Sequence, residues 1–211
     1  PGTFTDEPQY SRNRIPWSNK LGEMFLALNG YDIVPDLFYL YIDMDKYKSV
    51  RYDFWKTVNF MFTENYSCQI SAWCKNHNAL MTGHYIGEES ISDQMAGSCN
   101  IMGHLQYMDI PGMDWLGRDI GKNPITPKQA SSVAAQFGKP RVMSEMFAAS
   151  GNGATFADLK FLLDWQVLFG VNMPCYSILP NTAEGCRKRD YPPFFTPYQE
   201  NWQIFGRFNR Y

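Results

Sequence analysis

The stretch "PRVMSEMFAASGNGATFADLKFLLDWQVLFGVNMPCYSIL", Pro140 to Leu179, decides the fold. It opens on a short apolar run, Val142 to Phe147, too short for a helix and bounded by polar residues, which reads as a buried strand. A row of small residues follows. Thr155 with Asp158 then resembles a capping box, with Asp where Glu or Gln is usual. The helix it opens runs through Phe169, with Phe156, Leu159, Leu163 and Val167 along one side, and Gly170 ends it. "VNMPCYSIL" reads as the next strand. Strand, helix, strand is one βαβ unit, the building block of a parallel sheet.

The same alternation extends backwards. Thr3–Thr5 is a strand before the carboxylates Asp6 and Glu7. "KLGEMFLAL" makes a short helix stopped by Asn29-Gly30. Lys46 to Asn76 is the longest helical pattern, with Phe54, Val58, Phe62, Tyr66, Ile70 and Trp73 as its expected buried stripe. "ALMTGHYIGEE" is a strand running into a polar loop. Ile91 to Leu105 has helical character, weakened by Gly97 and Gly103. "QYMDIPGMDWLG" is a strand expected to stop at Pro111-Gly112. Pro127 to Phe137 makes a helix with Pro in its first turn, and "NWQIFGRFNRY" begins a last one.

Five strands alternating with helices fit either a doubly wound sheet or a (β/α)8 barrel. No glycine-rich phosphate loop follows any strand, so a nucleotide-binding sheet loses ground. Five strands do not close a barrel. The expectation is therefore an α/β chain forming the C-terminal part of a TIM barrel, about its fourth to eighth strands, with residues 1–211 as one partial domain. The opening "PGTFTDEP" enters a strand and its loop directly, as expected of a piece of a larger multidomain enzyme that does not act alone.

Composition narrows the partners. The 211 residues are 45% hydrophobic and 19% charged with net charge −2, so no basic excess points to nucleic acid or a membrane surface. No apolar run approaches the ~20 residues of a membrane span. Aromatics make up 16%, enough to serve sugar stacking as well as the core, which is their commoner use. Five cysteines without a CxxC pair form neither a disulfide framework nor a zinc site. Read as mostly buried free thiols, they favour a reducing compartment such as the cytoplasm.

Ionisable residues gather just after the strands, at the edge where such folds bind ligands. Glu145 in "VMSEMF" follows one strand and Glu7 in "TFTDEP" another. Taken alone, a strand-end Glu that reaches solvent is the commoner arrangement. With the last strand numbered as the eighth, Glu7 and Glu145 fall after the fourth and seventh. Glycosidic hydrolysis uses such a pair: one carboxylic acid protonates the leaving oxygen, and the other carboxylate attacks or activates water. The small residues Ala148 to Gly151 are expected to leave room beside Glu145.

Other candidates carry weaker signals. His84 in "TGHY" suits a sugar hydroxyl, although a lone His is often structural. Of Glu88 and Glu89, one is expected to face the site. Asp109 and Asp114 flank Pro111-Gly112 and suit hydroxyls or a cation; Asp114 beside Trp115 suits a sugar subsite. Tyr176 either stacks on substrate or packs. Arg187, with Lys188 and Arg189, lies beside the aromatic segment "DYPPFFTPY", expected to be an ordered loop at the site. Lys128 and Gln129 start a helix at the same rim. His77 and His104 read as structural.

The ordered set "FTDEP", "TGHYIGEE", "YMDIPGMDWLG", "PKQASSVAAQFGK", "VMSEMFAASG", "DWQVLFGVN" and "GCRKRDYPP" resembles the catalytic barrel of large bacterial glycoside hydrolases, specifically the α-L-rhamnosidase family (glycoside hydrolase family 106) and its relatives. The resemblance runs from Phe4 to Tyr198. It implies a (β/α)8 barrel with accessory β-rich domains, a carbohydrate substrate such as an α-L-rhamnoside of a plant or microbial glycan, inversion, and a calcium ion at the sugar. No cofactor is otherwise required. Glu7 would be the general acid and Glu145 the base or nucleophile. The related barrel clan has Asn-Glu where this chain has Asp6-Glu7. Two rivals remain open: a non-catalytic carbohydrate-binding relative, and a metal-assisted hydrolase, for which three unpaired His offer little zinc-type spacing.

Overall fold

Thr155 starts its helix by the chemistry its sequence implies. Its hydroxyl accepts from the Asp158 backbone N–H at 3.2 Å, and the Asp158 carboxylate accepts from the Thr155 N–H at 2.8 Å. The Asp stands in for the usual Glu of a capping box. The helix it begins lies between two neighbouring parallel strands, so the Pro140–Leu179 stretch does form a βαβ unit.

The computed structural model describes all residues except 11–13, 121–123, 178–181, 183, 187–190, 194, 196–201 and 211. Among them the strands are β1 (Gly2–Thr5), β2 (Leu80–Gly83), β3 (Ile110–Trp115), β4 (Met143–Met146) and β5 (Met173–Tyr176). The helices are α1 (Asn19–Asn29), α2 (Tyr47–Phe62), α3 (Gln69–Asn76), α4 (Ile91–Gly97), α5 (Ile101–Leu105), α6 (Ile125–Gln136), α7 (Phe156–Leu168) and α8 (Trp202–Phe208). A short 3-10 helix spans Val34–Leu40. The five parallel strands follow one another in chain order, β1-β2-β3-β4-β5, a mixed α/β arrangement compatible with part of a (β/α)8 barrel. No described helix is long and apolar enough to cross a membrane.

The chain divides into two units: Pro1–Met81 with Tyr85–Met108, and Thr82–His84 with Asp109–Tyr211. The first packs α1 on α2 around Leu21, Phe25, Ile33, Phe54, Val58 and Cys99. Burying each such side chain contributes roughly 1.5–3 kcal/mol. Of the five thiols, Cys74 and Cys99 are buried and Cys68 partly so, whereas Cys175 and Cys186 are exposed, contrary to the expectation of mostly buried thiols.

The long helix expected over Lys46 to Asn76 is present but changes phase. A π-turn at Thr63–Cys68 separates α2 from α3. The buried face runs Phe54, Val58, then Thr63, Ser67, Ser71 and Cys74, so one interval is five residues instead of four. The wider turn rotates everything beyond it. Trp73, expected in the core, is therefore 53% exposed and stacks on His77 at 4.1 Å.

Beneath that turn lies a buried polar chain. His104 Nε2 faces the Ser98 carbonyl at 3.1 Å, so it carries the proton and donates. Nδ1 then accepts from the Ser67 hydroxyl at 2.7 Å, and the Ser67 oxygen accepts from the Tyr85 hydroxyl at 2.7 Å. Burial pushes His104 down to about 4 from 6.5. The unfolded chain thus binds a proton that the folded chain refuses between those values. Stability is expected to fall as pH drops from about 6.5 to about 4, by on the order of 3 kcal/mol, and this contribution levels off below. Denaturant titrations across that window check it. His104→Gln should flatten the slope relative to wild type, and an unchanged slope would refute the assignment.

Three further expectations change. β3 does not stop at Pro111-Gly112 but runs through to Trp115. The pairing registers Gly83 with Pro111 and Gly112 with Met143. The region from Ile91 to Leu105 breaks into α4 and α5 around Cys99, whose φ is +61°. In α7 the buried residues are Leu159, Leu162 and Gln166, while Val167 is 52% exposed.

Candidate active site

Register across the parallel strands of the second unit sorts the candidates by face. Asp114, Glu145 and Cys175 are partners on β3, β4 and β5, so their side chains share one face. Trp115, Met146 and Tyr176 are the next set of partners and share the other. The carboxylates thus stand in a row at the C-terminal ends of the strands, where parallel α/β sheets place ligands.

Glu145 is held from two sides. The buried His84, just after β2, brings Nε2 to 2.9 Å from Glu145 Oε2. Ser177, just after β5, hydrogen-bonds to the same carboxyl. The Ser177 backbone N–H donates to the Met146 carbonyl at 3.1 Å, which fixes that position. The His84 hydrogen bond, chiefly, holds the Glu145 carboxyl below the usual range, and the Ser177 bond adds to it against the opposing effect of burial. This carboxylate is therefore kept ionised, the state required of a base or nucleophile and not of a general acid. Partial desolvation of its sulfur by the surrounding atoms, together with the Glu145 charge, pushes the Cys175 thiol up although the residue as a whole is exposed, so it is no thiolate nucleophile. A His84 ring nitrogen lies within 4.8 Å of an Asp114 oxygen, which brings His84, Asp114 and Glu145 together.

The remaining candidates divide between the two units. Trp115 donates its indole N–H to the Asp119 carbonyl and packs on Trp165 of α7 at 5.1 Å, on the face away from Glu145. Tyr176 stacks on Phe147 at 5.1 Å and meets Phe205 of α8. Both serve as packing groups between sheet and helices. Glu88 belongs to the first unit, is buried, and accepts the Tyr85 backbone N–H at 2.9 Å, closing its own turn; Glu89 is exposed. Asp6 is exposed and Glu7 half-buried, in the first unit. Glu7 has φ +47°, a left-handed conformation costly for a side chain of this size. Lys128 is exposed, Gln129 buried and Asp109 half-buried. Arg187, with Lys188 and Arg189, lies outside the described residues.

Sequence reasoning missed Ser177 and the strained loop beyond Glu145. Phe147 is fully buried at φ +79°, an outlier for a bulky residue. Ala148 and Ser150 are buried too. The Gly117 N–H donates to the Ala148 carbonyl at 2.8 Å, and the Ser150 hydroxyl donates to the Gly117 carbonyl at 2.7 Å. The small residues let two loops approach closely.

One comparison bears on the fold. The chain is similar to the structure of a rhamnosidase from Novosphingobium sp. PP1Y, with a TM-score of 0.62 at 20% identity. The match covers 76% of this chain and 16% of the rhamnosidase chain, and at this identity it speaks for a shared fold. No family model matches the chain, and no curated protein does.

Proposed function

We propose that this chain is part of the catalytic barrel of a glycoside hydrolase acting on an α-L-rhamnoside or a similar sugar, with its five strands equivalent to the fourth to eighth of a (β/α)8 barrel. The observation that carries the reading is Glu145: an ionised carboxylate, clamped by His84 and Ser177, at the C-terminal end of a parallel strand. The fold shared with a rhamnosidase supports it. Glu145 acts as the base that takes a proton from water, or as the nucleophile at the anomeric carbon. Glu7, after β1, is the acid that protonates the leaving oxygen. That second role rests on strand order and on the resemblance of "FTDEP". Asp114 shares the Glu145 face and binds sugar hydroxyls. The remaining strands and accessory β-rich domains belong to the rest of the same protein. The rival reading, a non-catalytic sugar-binding relative, has no need of the two strand-end carboxylates Glu7 and Glu145 that this chain keeps.

The test is turnover of aryl glycosides, α-L-rhamnosides first, by the full-length protein, with the product anomer read by NMR at early times. Hydrolysis with inversion is expected. A folded protein that cleaves no glycoside of the panel overturns the proposal, and a retained anomer makes Glu145 a nucleophile.

A further inference from the structure

His84 differs from the substrate ligand that its place after a strand suggests. Its side chain is 1% exposed, so it has almost no surface to offer a sugar. Its Nε2 instead points at Glu145 Oε2 at 2.9 Å. The backbone that carries it is tightly fixed. Thr82 and Gly83 pair with Ile110 and Pro111, and the Thr82 hydroxyl donates to the Ile110 carbonyl at 2.8 Å. We propose that His84 is a positioning residue: it sets the rotation of the Glu145 carboxyl and leaves one oxygen directed at the reacting centre. This rests on the reading of Glu145 as the basic carboxylate.

The physical need is plain. The terminal torsion of a glutamate is broad, so an unheld carboxylate samples many orientations. A donor on Oε2 from His84, after β2, and a second hydrogen bond from Ser177, after β5, restrict it from two sides. A charge-assisted hydrogen bond of this kind is stronger than a neutral one and keeps the carboxylate ionised. In the second unit the groups facing Glu145 are His84, Asp114, Cys175 and Ser177. Among them His84 is the largest influence that favours the charged form.

The experiment compares His84→Ala, His84→Gln and His84→Asn in the full-length protein. The Gln amide nitrogen reaches about as far as Nε2, whereas the Asn amide stops near Nδ1. Turnover is expected to fall about 10²-fold in Ala and Asn, with KM within a few-fold of wild type and partial recovery in Gln. A carbon-13 NMR titration of the Glu145 carboxyl supplies a readout that needs no activity. Its midpoint should rise in Ala and Asn and stay low in Gln. A midpoint unmoved in all three variants overturns the proposal, as does a raised KM with turnover intact, the mark of a substrate ligand. Equal behaviour of Gln and Asn overturns it too. If Glu145→Gln is inactive while the His84 variants turn over normally, this inference fails and the glycosidase reading stands. If Glu145→Gln stays active, that reading fails, and the titration alone decides whether His84 holds the carboxyl.

Discussion

Glu145→Gln is expected to slow hydrolysis by ~10² or more while leaving the fold intact. The amide is nearly isosteric. Its oxygen still accepts from His84 Nε2, so the clamp between β2 and β4 survives. What is lost is the negative charge that His84 and Ser177 maintain, and with it the capacity to take a proton or attack carbon. Turnover should fall on aryl and natural glycosides alike, because the basic step is common to both. Glu7→Gln should behave differently. A good leaving group needs little protonation, so its defect should shrink on activated aryl glycosides. Glu145→Gln rates within a few-fold of wild type would mean that Glu145 merely ends a strand, as exposed glutamates usually do. Thermal unfolding of the variant separates lost chemistry from lost structure.

How much of this was legible in the sequence depends on how local each cause is. The capping box at Thr155 and Asp158 is local chemistry, and the structure reproduces it bond by bond. The βα alternation was legible for the same reason, since each run carries its own period. The phase of the long helix was not. A π-turn at Thr63–Cys68 follows from what the turn packs over, here Ser67 against Tyr85 and His104, residues far along the chain. Hence Trp73 read as core and is exposed. The faces of β3 and β5 are set by distant packing in the same way. Alternation says that Asp114 and Trp115 point opposite ways. It does not say which way holds the helices, so Trp115 read as part of a sugar subsite and Tyr176 stayed open between stacking on substrate and packing. Glu145 and His84 were legible as strand-end residues, but their contact spans 61 positions of sequence. Ser177 carries no signal of its own: a serine after a strand is ordinary, and only the register with Met146 brings it to the carboxylate.

Pro111-Gly112 read as the end of a strand because proline lacks a donor and glycine packs poorly in sheets. The structure makes the glycine necessary. A Cβ built on Gly112 would lie 2.1 Å from the Gly83 carbonyl oxygen and 2.6 Å from Met143 Cε. Met143 is a flexible side chain and can yield. The Gly83 oxygen belongs to the backbone of β2, so relief requires β2 and β3 to separate by about an ångström, beyond ordinary side-chain overpacking. Gly112→Ala is therefore expected to destabilise the protein by about 3 kcal/mol or more. The displacement passes directly to His84, the residue after Gly83, and from there to its 2.9 Å bond with Glu145. Gly22→Ala is the control. It lies in α1 with nothing within 4 Å of the added Cβ, and should be neutral or stabilise by up to about 1 kcal/mol. Denaturant midpoints of the two variants, with the Glu145 carboxyl titration in whatever folded fraction Gly112→Ala retains, measure both consequences. A Gly112→Ala protein as stable as Gly22→Ala, with the Glu145 midpoint unmoved, would show that β2 and β3 do not meet this closely and that His84 does not depend on their approach.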